Sequence, residues 1–206
     1  MFAIGDWVSR ARGRASSPFW RRVEYFCKPA TLVALVVAAA ALDPAAGDDV
    51  RRRWFVAALL FSLFGDVLLM LPREQFVGGL SAFLVGHVCY LAGFWSAGPS
   101  AVPLLVGVAV AGVAVGAVGS RVLSAVRAQD RALVGPVAAY MVVIGAMLAT
   151  ALAVGNPLAG AGAALFVASD SMIAWDRFVG RFAGASVLIM VTYHLGQAAL
   201  VASLVR

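Results

Sequence analysis

The sequence predicts an all-α protein, a polytopic transmembrane helical bundle of seven spans. Three observations predict it. The first is composition: 63% of the 206 residues are hydrophobic and only 13% charged, with a mean hydropathy of +0.94. A soluble domain runs at about 45–50% apolar and about 25% charged. One aqueous core cannot hide this excess, so a bilayer must. The second is that the apolar residues fall in continuous blocks near the length of a membrane-crossing helix; barrel strands would alternate instead. The third is the placement of 15 arginines and one lysine between the blocks. They give a formal charge of +6, which reads as a topology signal before a partner signal. Water-soluble enzymes, nucleic-acid binders and disordered tails are excluded.

The first element, 1–26, is a basic N-terminal segment carrying Arg10, Arg12, Arg14, Arg21 and Arg22. It has no apolar region of the export-signal kind. With Trp7, Phe19, Trp20, Tyr25 and Phe26 it reads as a segment lying on the membrane surface, or equally as a partly disordered tail. Residues 27–206 read as a single transmembrane helical domain with spans at 29–42, 54–71, 76–95, 101–118, 133–153, 157–174 and 183–205. Short connections leave no room for an appended soluble domain. Segments on the N-terminal side of the bundle carry twelve Lys and Arg, and the opposite side carries four (Arg51, Arg52, Arg53 and Arg206). The N-terminus is therefore expected in the cytoplasm and the C-terminus outside. Trp54 and Trp95 then fall at the outer interface and Trp175 at the inner one. Cys27 and Cys89 are too differently placed for a disulfide framework. The bias toward alanine, valine, glycine and arginine suits a bacterial inner-membrane protein.

A faint internal echo joins FSLFGD at 61–66 to LFVASD at 165–170. Each is followed by Phe-Val-Gly, at 76–78 and 178–180. Two units running in the same direction would form a parallel repeat about an axis along the membrane normal. Chance similarity between apolar strings is the competing explanation. Gly112 and Gly116 have small-xxx-small spacing, which predicts close helix packing there.

The most informative residues are the few polar ones inside the spans, because a charge in hydrocarbon costs several kcal/mol and persists where it has a use. They are Asp66, His87, Asp170 and His194, with Tyr90, Tyr140, Ser169, Tyr193 and Gln197 beside them and Lys28 at a span entrance. Asp66 and Asp170 lie four or five residues from the inner ends of their predicted spans, roughly 6–8 Å deep. Tyr140 enters from the same side, and His87, Tyr193 and His194 lie near the middle. The set gathers in the cytoplasmic half, as one inward-opening pocket requires. His87 and Tyr90, Tyr193 and Gln197, and Ser62 and Asp66 are pairs that each share a helical face. His194 stands about 100° round from Tyr193, which leaves its partner open.

Each has a duller reading. The two aspartates would serve as an interhelical anchor, either histidine or Tyr140 and Gln197 as interhelical hydrogen-bond glue, and Lys28 as a cation snorkelling to lipid phosphates. Asp176 and Arg177 lie at the interface and need no special explanation. Two Asp and two His have the chemistry to ligate zinc, but no HExxH, HxxxH or CxxC spacing occurs. No metal or other cofactor is expected. Nucleophilic catalysis has no GxSxG, and Cys89 has no charged neighbour in sequence.

Through these residues the chain resembles the YhhN-type lysoplasmalogenase family of integral membrane proteins. The resemblance runs from Lys28-Pro29 through SLFGDVLL at 62–69, then Phe76, Gly79, Phe83, His87 and Tyr90. It continues through ALFVASD at 164–170 and Tyr193-His194 with Gln197. It implies hydrolysis of the vinyl ether bond of lysoplasmalogens to a fatty aldehyde and a glycerophospho-ethanolamine or -choline. The family pattern has eight spans; here the arginine-rich 1–26 stands where the extra one would be. The implied partners are a lysophospholipid substrate and membrane lipids. Vinyl ether cleavage needs a proton donor to carbon and stabilisation of a cation, which two carboxylates at matched depth supply. Asp66 and Asp170 are the expected catalytic residues. Lys28, His87, Tyr90, Tyr140, Ser169, Tyr193, His194 and Gln197 are expected to bind or tune. The alternative class is a proton-coupled transporter or lipid exporter with the aspartates as proton carriers. An intramembrane aspartyl protease is disfavoured, since LFGD at 63–66 is not GxGD.

Overall fold

The computed structural model describes residues 3, 18–43, 48–71 and 75–205, with side chains placed from Tyr25 onward in the first helix. Among the described residues from Pro18 onward, seven α-helices follow one another: α1 (Pro18–Ala41), α2 (Asp49–Met70), α3 (Phe76–Ser96), α4 (Ala101–Gln129), α5 (Val134–Ala153), α6 (Pro157–Ala174) and α7 (Ala185–Ala202). No strand occurs among the described residues. Helices α2 to α7 are each long and apolar enough to cross a bilayer, and α1 contributes the shorter apolar stretch Tyr25–Ala41. The fold is a polytopic helical membrane bundle. Helix starts follow local chemistry. Asn156 caps α6 by accepting from the Leu158 and Ala159 amides at 2.9 and 3.2 Å, with Pro157 in the first turn where its missing N–H costs nothing.

Two boundaries differ from the sequence expectation. Helix α1 starts at Pro18, so the division at 26/27 falls inside a continuous helix, and Lys28 sits ten residues into it and three beyond the start of its apolar stretch at Tyr25. Residues 1–17, where the surface-segment reading mostly falls, lie outside the described residues apart from Ala3. Helix α4 runs 11 residues past the expected end at 118, because nothing in Gly119–Gln129 breaks a helix once the apolar run stops. Its 29 residues extend about 43 Å, beyond a hydrocarbon core of about 30 Å. Arg121 and Arg127 are carried out on that overhang.

The bundle is built from hairpins, α2 with α3, α4 with α5 and α6 with α7, while α1 packs on α2 and α7 and α5 lies on α3. Its core centres on Phe55, Tyr90, Phe94 and Phe166, all fully buried, with Phe55 edge-on to Tyr90 (4.9 Å) and to Phe94 (5.1 Å). Helix α4 is the most lipid-facing, with Val102, Leu105 and Val113 more than 70% exposed. Gly112 and Gly116 do not make the close packing expected of them; a methyl group on either would meet nothing within 4 Å. They point away from the bundle. The packed stripe of α4 is instead Gly107, Ala111, Gly119 and Val122, where Gly107 lies directly over the Ala149 backbone of α5. Small-residue spacing shows that a face is smooth, not which face is turned inward.

The 61–66 and 165–170 echo has a counterpart in the contacts. Gly86 of α3 approaches the Ala58 carbonyl of α2, and Gly196 of α7 approaches the Gly162 carbonyl of α6. Seven residues, about two turns, further on, Gly65 lies over the Gly79 carbonyl, and Ser169 donates to the Ile189 carbonyl at 3.0 Å. Matched crossings bring the aspartates that end the two motifs to the same end of the bundle.

Candidate active site

Asp66 lies one turn from the end of α2 and is 1% exposed. Its Oδ1 is 2.8 Å from the Lys28 ammonium of α1, and its Oδ2 accepts a hydrogen bond from the Tyr193 hydroxyl of α7 at 3.0 Å. Lys28 is only 5% exposed, so it does not snorkel to lipid phosphates; it faces inward and neutralises Asp66. Asp170, one turn from the end of α6, has different company. Its Oδ2 accepts the Tyr140 hydroxyl of α5 and lies 3.5 Å from His87 Nε2 of α3. His87 Nδ1 is 2.6 Å from the Phe83 carbonyl. A carbonyl only accepts, so Nδ1 carries the hydrogen and Nε2 of the neutral ring turns its lone pair toward Asp170. Among the described residues, the polar partners of Asp170 are Tyr140 and His87, neither of them a fixed cation.

Two cavities meet here. A polar chamber of about 170 Å³ is lined by Lys28, Asp66, Asp170, Tyr193, Phe83 and Met190, among others. A second cavity of about 100 Å³ is apolar, walled by α3, α4, α5 and α6 through such residues as Leu80, Val118, Val137 and Ile144. Asp170, Phe83, Leu69 and Ile173 line both. Asp170 therefore stands at a junction of a polar and an apolar space, with Asp66 across the polar one. The ten residues lining the polar chamber are shared out over five helices, so no single segment determines the site.

The other expected residues separate. Tyr90 donates to Gln197 Oε1 in a fully buried pair that lines neither cavity. Ser169 is spent on the Ile189 carbonyl, and His194 is buried against the Tyr193 ring at 5.4 Å, also away from both cavities. Three residues outside the expected set matter. Phe83 supplies the carbonyl that fixes the His87 tautomer and a wall of both cavities. Phe166, fully buried, sits edge-on to His87 (4.6 Å) and Tyr193 (5.3 Å), spacing the two carboxylate groups' partners. Arg177 lines the apolar cavity. Phe83 and Phe166 each lie four residues before a polar member, so a same-face count from His87 and Asp170 finds them. Among the described residues no cluster of three or more His, Cys, Asp and Glu is arranged to hold a metal ion.

Fold and site together define a class, that of multi-pass membrane proteins with a carboxylate pair buried between helices and open to an apolar cavity. Within that class the chain belongs to the YhhN family, whose model matches residues 23–204. It is 35% identical over 181 residues to a lysoplasmalogenase of Mycobacterium bovis, covering 80% of this chain and 69% of that one. It is 36% identical over 149 residues to human lysoplasmalogenase TMEM86B, covering 72% and 62%. With the rat protein of that name it shares 33% over 190 residues, covering 92% and 75%. No solved structure matches.

Proposed function

We propose that this chain hydrolyses the vinyl ether bond of lysoplasmalogens in a bacterial inner membrane, with Asp170 as proton donor and the Asp66–Lys28 pair as its anionic counterpart. The observation that carries the assignment is the unequal company of the two carboxylates. Lys28 lies 2.8 Å from Asp66, whereas among the described residues Asp170 meets a hydroxyl and a neutral imidazole, beside an apolar cavity. An ion-paired carboxylate serves as a base; one without a cation is the natural acid. Kinship with proteins named lysoplasmalogenase supports the bond that is cut.

The reaction then runs in three steps. Tyr140 donates to Asp170 Oδ2, which leaves Oδ1 to carry the proton and pass it to the β-carbon of the enol ether. The double bond becomes an oxocarbenium ion, stabilised across the polar chamber by the Asp66 carboxylate. Water in that chamber adds to the cationic carbon as Asp66 takes its proton. Asp170 takes the hydroxyl proton of the hemiacetal as Asp66 returns the proton it took from water to the departing glycerol oxygen, so one water is consumed and both carboxyl groups return to their starting states. The products are a fatty aldehyde and a glycerophospho-alcohol.

The experiment is aldehyde release from lysoplasmenylethanolamine by purified protein in detergent. Asp66→Asn and Asp170→Asn are each expected to lower turnover by about 10²-fold or more. Full activity in both variants would overturn the carboxylate mechanism.

A further inference from the structure

Deepening that reading, and resting on it, we infer that Arg177 is the binding residue for the phosphate of a single-chain phospholipid, with the apolar cavity as the slot for the lipid beneath it. Lys28 would otherwise be the obvious anion ligand, but it is 5% exposed and committed to Asp66 at 2.8 Å. Arg177 is exposed where Lys28 is buried, and it lines the apolar cavity that reaches Asp170. Its guanidinium carbon lies 3.8 Å above the Phe76 ring, which itself meets Phe178 edge-on at 5.8 Å. That contact holds the guanidinium beside the cavity it lines, and an arginine fork is suited to bidentate phosphate binding.

The local backbone is built for this placement. After Ala174 the α-helix widens into a π-helical segment, Trp175–Val179, closed by the Gly180 amide on the Trp175 carbonyl at 3.0 Å. The extra residue in the turn re-aims the side chains that follow. Gln129 of α4 donates to the Phe178 carbonyl at 2.6 Å and pins the segment to the overhang of α4. The long α4, which nothing in the spanning requirement calls for, is what reaches this contact.

The spacing matches the proposed substrate. Arg177 is seven residues beyond Asp170, about 10 Å along the helix axis. In a lysoplasmalogen, seven bonds separate the β-carbon of the vinyl ether from phosphorus, about 8 Å in an extended chain at about 1.2 Å per bond. A phosphate on Arg177 therefore brings the carbon to be protonated level with Asp170. The rest of the alkenyl chain continues past Val115 and Ile144 toward the bilayer centre, where lipid tails belong. The arginine would thus act as a ruler as well as an anchor.

The test uses the full chain in detergent and two non-hydrolysable ligands, 1-O-alkyl-lysophosphatidylethanolamine and 1-O-alkylglycerol, with binding read by quenching of tryptophan fluorescence, Trp175 being next to the site. Arg177→Ala is expected to weaken the phosphate-bearing ligand about 10- to 100-fold and leave the alkylglycerol unchanged, with Arg177→Lys between. Inorganic phosphate at the same concentration should not displace the lipid. Equal weakening of both ligands, no weakening of either, or displacement by inorganic phosphate at that concentration would overturn the inference. The arms also separate it from the hydrolase reading. Arg177-dependent binding without aldehyde release from the alkenyl substrate sinks hydrolysis and sustains the anchor. Aldehyde release with an unchanged KM in Arg177→Ala does the reverse.

Discussion

Replacing Lys28 with methionine removes the counter-ion of a carboxylate that is 1% exposed, and the consequence is calculable. The Lys28–Asp66 pair is held at 2.8 Å with side chains 6% and 1% exposed, so either charge left alone cannot recover its hydration. Breaking such a buried pair from one side costs about 3–5 kcal/mol, whereas replacing both members with neutral groups is often near neutral. For a chain of this length each kcal/mol shifts the melting temperature by about 2–4 °C, so Lys28→Met and Asp66→Asn should each lower it by about 6–20 °C. The double variant Lys28→Met/Asp66→Asn should regain most of that loss. It should remain without turnover, because the base is gone. Thermal melting in detergent, followed by the fraction of monodisperse protein, measures the first part, and aldehyde release measures the second. Single variants that melt within about 2 °C of the wild type would refute the buried-pair energetics. A double variant that regains turnover would remove Asp66 from the chemistry.

Further outcomes follow from other contacts. Tyr140→Phe deletes the hydroxyl that orients Asp170 and should lower kcat about ten-fold with KM nearly unchanged, read from initial rates across substrate concentration. Gly162→Val puts side-chain carbon within 2.9 Å of the Gly196 carbonyl and the Leu200 amide, backbone atoms that cannot yield, and should cost about 1–3 kcal/mol in a melting experiment. Gly112→Val, facing open space on α4, should leave the melting temperature unchanged in the same assay.

What the sequence made legible follows from the physics of each signal. Continuous apolar runs and charges in hydrocarbon are local and expensive, so the helices and the two aspartates could be read directly. Partnerships could not. Tyr140 and Asp170 are 30 residues apart, and Tyr193 and Asp66 are 127 apart, so only packing brings them together. Tyr193 and His194 look equivalent in a string, yet one turn angle sends the first to Asp66 and the second away from both cavities. Lys28 stands near the start of the apolar stretch Tyr25–Ala41, but the helix that carries it runs back to Pro18, because an arginine-rich stretch does not announce a helix. That Arg177 lines the apolar cavity was not legible either, since the π-helical turn that carries it has no sequence signature of its own.

The central claim is protonation of carbon by Asp170. In deuterated water, purified protein acting on a lysoplasmenyl lipid should give an aldehyde with one deuterium on the carbon next to the carbonyl, trapped at once by reduction to the alcohol and weighed by mass spectrometry. Asp170→Asn should lower formation of that labelled product about 10²-fold or more while Tyr140→Phe still makes it slowly. Unlabelled aldehyde, or wild-type rates of labelled aldehyde from Asp170→Asn, would contradict the account.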